Sequence, residues 1–254
     1  MKVNLLSDLH TEFWSDLAVH PGEGDVLILA GDIGLALTLK TTSGRYYREF
    51  LKTASESYNK VFYVLGNHEY YDYTFEDTLT DIQEFVYDNF TVLNNSSEFY
   101  NGVHFVGATL WTGFDKANPV VMKDAGDCMN DYDLIILGED KLHPEDTLWE
   151  HNNSVEWFNQ VLPTLNGDVV MITHHAPSIQ SIKGRYDREM TKHAYHTDLT
   201  RLIANHPNLK VWCHGHTHVQ NDYKVQQCRV LSNPFGYDGY ELNKSFCTTM
   251  EFEV

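Results

Sequence analysis

Val61-Phe62-Tyr63-Val64-Leu65-Gly66-Asn67-His68-Glu69, residues 61–69, is an apolar run that stops on a glycine and then presents an amide, an imidazole and a carboxylate. The run reads as a buried strand, and the glycine gives the backbone room to turn where it ends. The same construction recurs along the chain. Val3–Leu6 leads into Asp8-Leu9-His10, and Val26–Ala30 into Gly31-Asp32. Val169–Thr173 leads into His174-His175, and Lys210–Cys213 into His214-Gly215-His216-Thr217-His218. Together these strand ends supply two carboxylates, one amide oxygen and several imidazoles. That donor set suits a pair of hard or borderline divalent cations.

Working outward, Val103–Val106 reads as a further strand, and the alternating Phe246, Thr248, Met250, Phe252 and Val254 as a final one. Spaced apolar positions at about residues 44–58, 75–88, 148–162 and 196–205 suit helices. Strands alternating with helices predict an α/β layered fold, in which ligands bind beyond the carboxyl ends of strands. The 254 residues suffice for one domain spanning 1–254. Thr112 to Asn153 breaks the rhythm, rich in Asp, Asn and Gly, with Asn118-Pro119 and His143-Pro144 as turn markers. It reads either as an insertion, near 112–153, that lines a substrate entrance or as a plain surface excursion.

Hydrophobic content of 42% and charged content of 21% describe a soluble globular chain. No apolar stretch approaches the roughly 20 residues of a membrane helix, and no cleaved leader is expected. Cys128, Cys213, Cys228 and Cys247 form no close pair, so a reduced, cytoplasmic protein is expected. The net charge of −18, from 36 acidic and 18 basic residues, argues against strong binding to duplex nucleic acid. Two bound cations would make the site locally positive, so a small phosphorylated substrate remains compatible with that charge.

The order Asp-x-His, Gly-Asp, Gly-Asn-His-Glu, His, Gly-His-x-His resembles the calcineurin-like metallophosphoesterase superfamily. Thr-His-His-Ala-Pro-Ser (173–178) and Asn-Pro-Phe-Gly-Tyr (233–237) are similar to its small bacterial and phage members. The resemblance implies a four-layer α/β/β/α sandwich, two mixed sheets face to face with helices outside. It also implies Asp8, His10 and His218 on one metal, Asn67, His174 and His216 on the other, and Asp32 bridging. His174 is chosen over His175 because the family pattern ends the strand on a histidine two or three residues before proline. His68 resembles the family's catalytic histidine, stabilising the transition state or protonating the leaving oxygen. The implied cofactors are two divalent ions, manganese first, with iron, zinc, nickel or cobalt as alternatives. The implied reaction is attack on a phosphodiester, of a cyclic or linear nucleotide for example, by a hydroxide held between the ions. A phosphomonoesterase or phosphoprotein phosphatase, a nuclease and a catalytically silent scaffold are the competing readings.

Lys183, Arg185, Arg188, Lys192, His193 and His196 form a locally basic stretch directly after the His174 cluster. It reads either as a substrate-binding segment, carried chiefly by Lys183, Arg185 and Arg188, or as a solvated loop. Tyr70, Tyr71 and Tyr73 either pack their loop on the core or stack on a nucleobase.

Overall fold

Period-two alternation along the strands divides the side chains between two layers. Val3 and Leu5, Val26 and Ile28, and Phe62 and Val64 point one way, and Leu6, Leu27, Leu29, Val61 and Tyr63 point the other. The computed structural model describes residues 1–182 and 190–254. Its strands in chain order are β1 (Lys2–Leu6), β2 (Gly24–Ala30), β3 (Tyr58–Val64), β4 (Phe90–Val92), β5 (Ser96–Tyr100), β6 (Val103–Ala108), β7 (Ile136–Leu137) and β8 (Asp140–Lys141). They continue with β9 (Asp168–Thr173), β10 (Leu209–His214), β11 (Asn221–Val225), β12 (Cys228–Ser232), β13 (Gly236–Tyr237), β14 (Glu241–Leu242) and β15 (Glu251–Glu253).

One sheet has the order β15-β1-β2-β3-β4, parallel except for β15 at its edge. The other has the order β11-β12-β10-β9-β6-β5, with four parallel central strands and an antiparallel strand at each edge. The two sheets share a core in which Val3, Leu5, Ile28 and Phe62 meet Phe105, Val170, Ile172 and Cys213. Phe62 and Phe105 stack across it with centroids 4.0 Å apart and planes 15° apart. Helices cover both outer faces. Tyr47, Phe50, Leu51 and Ala54, spaced i, i+3, i+4, i+7 on α1 (Arg45–Ser57), bury against the first sheet. Phe158 of α6 (Pro144–Val161) and Leu202 and Ile203 of α7 (Thr200–Asn205) bury against the second. Each such side chain, fully buried, is worth about 1.5–3 kcal/mol. The expected α/β/β/α layering is therefore observed.

The 112–153 segment is mostly structured. After α2 (Phe75–Phe85) come α3 (Phe114–Ala117), a single turn wound left-handed, α4 (Pro119–Cys128), α5 (Asp131–Leu134) and the β7–β8 hairpin. The segment's last ten residues belong to α6, which starts at Pro144, earlier than its apolar spacing alone suggests. Proline at the first helical position and Asp146 Oδ2 accepting from the His143 N–H at 2.8 Å set that start. The helix expected at 196–205 begins only at Thr200, and of the positions expected in the final strand only Phe252 lies in β15. Among the described residues, no helix is long and apolar enough to cross a membrane. Lys183, Arg185 and Arg188 lie outside the described residues.

Candidate metal centre

Every ligand-type cluster read from the sequence lies just beyond the carboxyl end of a parallel strand: β1, β2, β3, β9 or β10. Because the two sheets face each other, these ends meet at one rim. The backbone there turns through unusual conformations. Asp8, His10, Asp32, His216 and His218 all have positive φ, between 48° and 65°. Aspartate and histidine tolerate that region better than most residues with a Cβ, and β-branched ones least. Gly66 is required for a different reason. A Cβ there would lie 2.1 Å from Asp32 Oδ1 and 2.6 Å from Asp32 N, so only glycine lets β3 close on the β2 loop.

The seven expected ligands gather at this rim. Asp8, His10 and His218 bring donor atoms within 4.8 Å of one another, and so do Asp32, His174 and His216. His10 Nε2 stands 3.8 Å from Asp32 Oδ2, which joins the two groups. His174 Nε2 lies 3.2 Å from Asp32 Oδ2 and 3.0 Å from Asn67 Oδ1. His10 Nε2 and His218 Nε2 are 3.0 Å apart, and His218 Nε2 is 3.6 Å from Asp8 Oδ1.

The donor chemistry fits cations. Asp8 Oδ2 and His216 Nε2 are buried with no hydrogen-bond partner among the described residues, an arrangement that is costly unless something else satisfies them. The second nitrogens of two ligands are already committed: His10 Nδ1 to Glu12 Oε1 at 3.3 Å, and His174 Nδ1 to the Ala30 carbonyl at 2.9 Å. With Nδ1 so engaged, Nε2 is the nitrogen each ring has left to offer a cation, as in metal-bound imidazoles. Burial holds His216 and His218 well below the ordinary histidine range, so both stay neutral, the form that ligates. His174 behaves oppositely: against its burial, the Asp32 carboxylate beside it lifts it to about 9. That marks a place where positive charge is favoured.

His68 is buried, its backbone N–H donating to Asp32 Oδ1 at 2.8 Å and its Nδ1 meeting Glu12 Oε1 at 2.9 Å. Its ring joins the Asp32–His10 group rather than the pair around His174. His175 is in none of these groups; it packs on His216 at 4.2 Å and on Trp111 at 5.2 Å, with Nδ1 on the Thr109 carbonyl. His214, at the end of β10, meets Ser181 Oγ at 2.8 Å through Nε2.

Sequence reasoning missed several residues. One oxygen of Glu12 serves both His10 and His68, and its place two positions after His10 was the available signal. Glu69 was read as part of a motif without a role. Its carboxylate accepts from the N–H groups of Asp32, Ile33 and Gly66 and from Tyr63 OH, at 2.6–3.0 Å, which pins the β2 and β3 loops together. Asp131, from α5, accepts from Asn67 and Tyr71 and had no signal in the sequence.

Beside these groups lies a cleft of about 160 Å³, walled by Tyr71, Tyr195, Tyr237, Met129 and Asn130. Met129 and Asn130 come from the 112–153 segment. Tyr71 faces the His68 ring at 4.2 Å and the cleft, while Tyr70 stacks on Phe75 and Tyr73 bonds Asp81.

The sequence model of the calcineurin-like phosphoesterase family matches residues 1–220. The chain is 27% identical to the L509 protein of Acanthamoeba polyphaga mimivirus, over 91% of this chain and 90% of that one. The structure resembles a phosphopantetheinyl hydrolase from Mycobacterium tuberculosis, with TM-score 0.67 and 18% identity over 93% of this chain and 89% of that one. It also resembles TT1561 of Thermus thermophilus, with TM-score 0.53 and 13% identity over 92% and 88% of the two chains. At such identities these two likenesses speak to the fold.

Proposed function

The chain belongs to the calcineurin-like phosphoesterase family, and from that premise we propose that it hydrolyses a small phosphodiester with the help of two divalent cations, manganese foremost. Asp8, His10 and His218 would hold one cation, Asn67, His174 and His216 the other, with Asp32 shared. The observation that carries this reading is the convergence of the seven side chains on buried donor atoms, two of them without a partner among the described residues. Bound there, divalent cations would supply Lewis-acid polarisation of the phosphoryl oxygens and lower the pKa of the attacking water.

The chain's own part is orientation and proton transfer. Glu12 accepts from His68 Nδ1, which leaves Nε2 facing the cleft 3.4 Å from Tyr237 OH. From that position Nε2–H can donate to the leaving oxygen, a task within reach of imidazole near neutral pH. Against its burial, the Asp32 and Glu12 carboxylates raise His68 above the ordinary histidine range, to about 9.

A diester is supported by the cleft's lining, which among the described residues contains neither lysine nor arginine. A diester monoanion demands less compensating charge than a monoester dianion. With manganese present, kcat/KM for bis(p-nitrophenyl) phosphate should exceed that for p-nitrophenyl phosphate by at least tenfold; the reverse order would make the protein a monoesterase. We further assign Lys183, Arg185 and Arg188 to the distal part of the substrate, because this basic run joins the His174 cluster to Tyr195 in the cleft wall. Replacing all three with alanine should raise KM and leave kcat nearly unchanged. Free cysteines at 128, 213, 228 and 247 support a cytoplasmic setting.

A further inference from the structure

An asparagine ligand offers a cation only one of its two amide ends. The oxygen binds and the NH2 group repels, and the two ends have nearly the same shape. In this structure the choice is made by a residue from outside the two sheets. Asn67 Nδ2 donates to Asp131 Oδ1 at 2.8 Å and to Tyr71 OH at 2.9 Å, and Tyr71 OH donates in turn to the same Asp131 oxygen at 3.0 Å. Both amide hydrogens are thereby used, and Oδ1 is left facing His174 Nε2 at 3.0 Å. A flipped amide would set its oxygen against the Asp131 carboxylate and its NH2 against the ligand cluster.

Asp131 is 2% exposed and opens α5. The segment around it is stitched to the loop that follows Asn67. Asp72 N–H donates to the Leu134 carbonyl at 2.9 Å, and Ile136 N–H to the Tyr73 carbonyl at 3.0 Å. Tyr132 OH and Thr147 Oγ1, 3.0 Å apart, tie the same segment to α6. The 112–153 segment therefore does more than wall the cleft.

We propose that Asp131 is a positioning residue for the cation held by Asn67, His174 and His216, fixing the Asn67 amide so that its oxygen faces the ion. This rests on the two-cation reading above. It makes the excursion between β6 and α6 a condition for a complete two-ion site.

The test is manganese binding by the full-length protein, measured by equilibrium dialysis against graded free manganese with no substrate present. Asp131→Ala should weaken one of the two ions by roughly 10–100-fold, the range typical for partners of metal ligands, and leave the other within about twofold. Asn67→Ala should weaken the same ion. Asp131→Asn keeps an acceptor oxygen in place and should recover most of the loss, whereas a residue needed only for its charge would gain nothing from asparagine. Tyr71→Phe, which removes one of the two acceptors of the amide, gives a smaller loss in the same direction and serves if the alanine variant does not fold. Unaltered binding of both ions in folded Asp131→Ala, or equal weakening of both, would overturn the role of Asp131. Fewer than two ions on the unaltered protein would instead overturn the two-cation reading itself.

Discussion

His68 stands with one ring nitrogen on a carboxylate and the other facing the cleft. If Nε2 gives a proton to the leaving oxygen, His68→Ala should retain both ions and the fold and lose roughly 10²–10⁴-fold in kcat on an alkyl or nucleoside ester. On an activated aryl ester, whose leaving group needs no proton, the loss should be much smaller. Equal losses on both would assign His68 to charge stabilisation instead. The residues read as ligands were legible because each lies a few positions past an apolar run, where sequence adjacency stands in for spatial adjacency. Glu12 left a signal in its place two positions after His10, whereas Asp131 acts through contacts that residue types cannot announce. Asp131 reaches Asn67 across 64 positions, and only the packed chain brings the two together.

The strands that located the site from sequence are buried on both faces. β1, β2, β3, β9 and β10 are nearly continuous apolar runs, and their ends located the site. β5 and β11 went unread because they lie at sheet edges, with Ser97 and Phe99 exposed on one, Asp222 and Lys224 on the other, and no apolar run. β4 is only three residues long. The contact between the two sheets gives this scale its prediction. Phe62→Ala or Phe105→Ala should cost about 3–5 kcal/mol, read as a lower denaturation midpoint at constant denaturant slope. Trp149→Ala, on a side chain 63% exposed, should stay within about 0.5 kcal/mol. Comparable losses at all three positions would contradict a core shared between the sheets.

At the scale of the molecule, 36 acidic residues face 18 basic ones. Several of the ion pairs present are exposed pairs one helical turn apart, such as Arg45–Glu49 and Lys52–Glu56, which offset little of the repulsion. Raising sodium chloride from about 10 to about 150 mM shortens the Debye length from roughly 30 to roughly 8 Å, so the melting temperature should rise. A fall would mean that attractive pairs dominate the field. The site itself is assembled from both ends of the chain: Asp8, His10, Asp32 and Asn67 from the first sheet, His174, His216 and His218 from the second. On a ribosome adding about 5–20 residues per second, roughly 150 residues separate Asn67 from His216, an interval of about 8–30 s. Throughout it the nascent chain displays two carboxylates, an amide and an imidazole whose partners have yet to be made. The complete set of seven side chains therefore exists only once the residues just past β10 have been made.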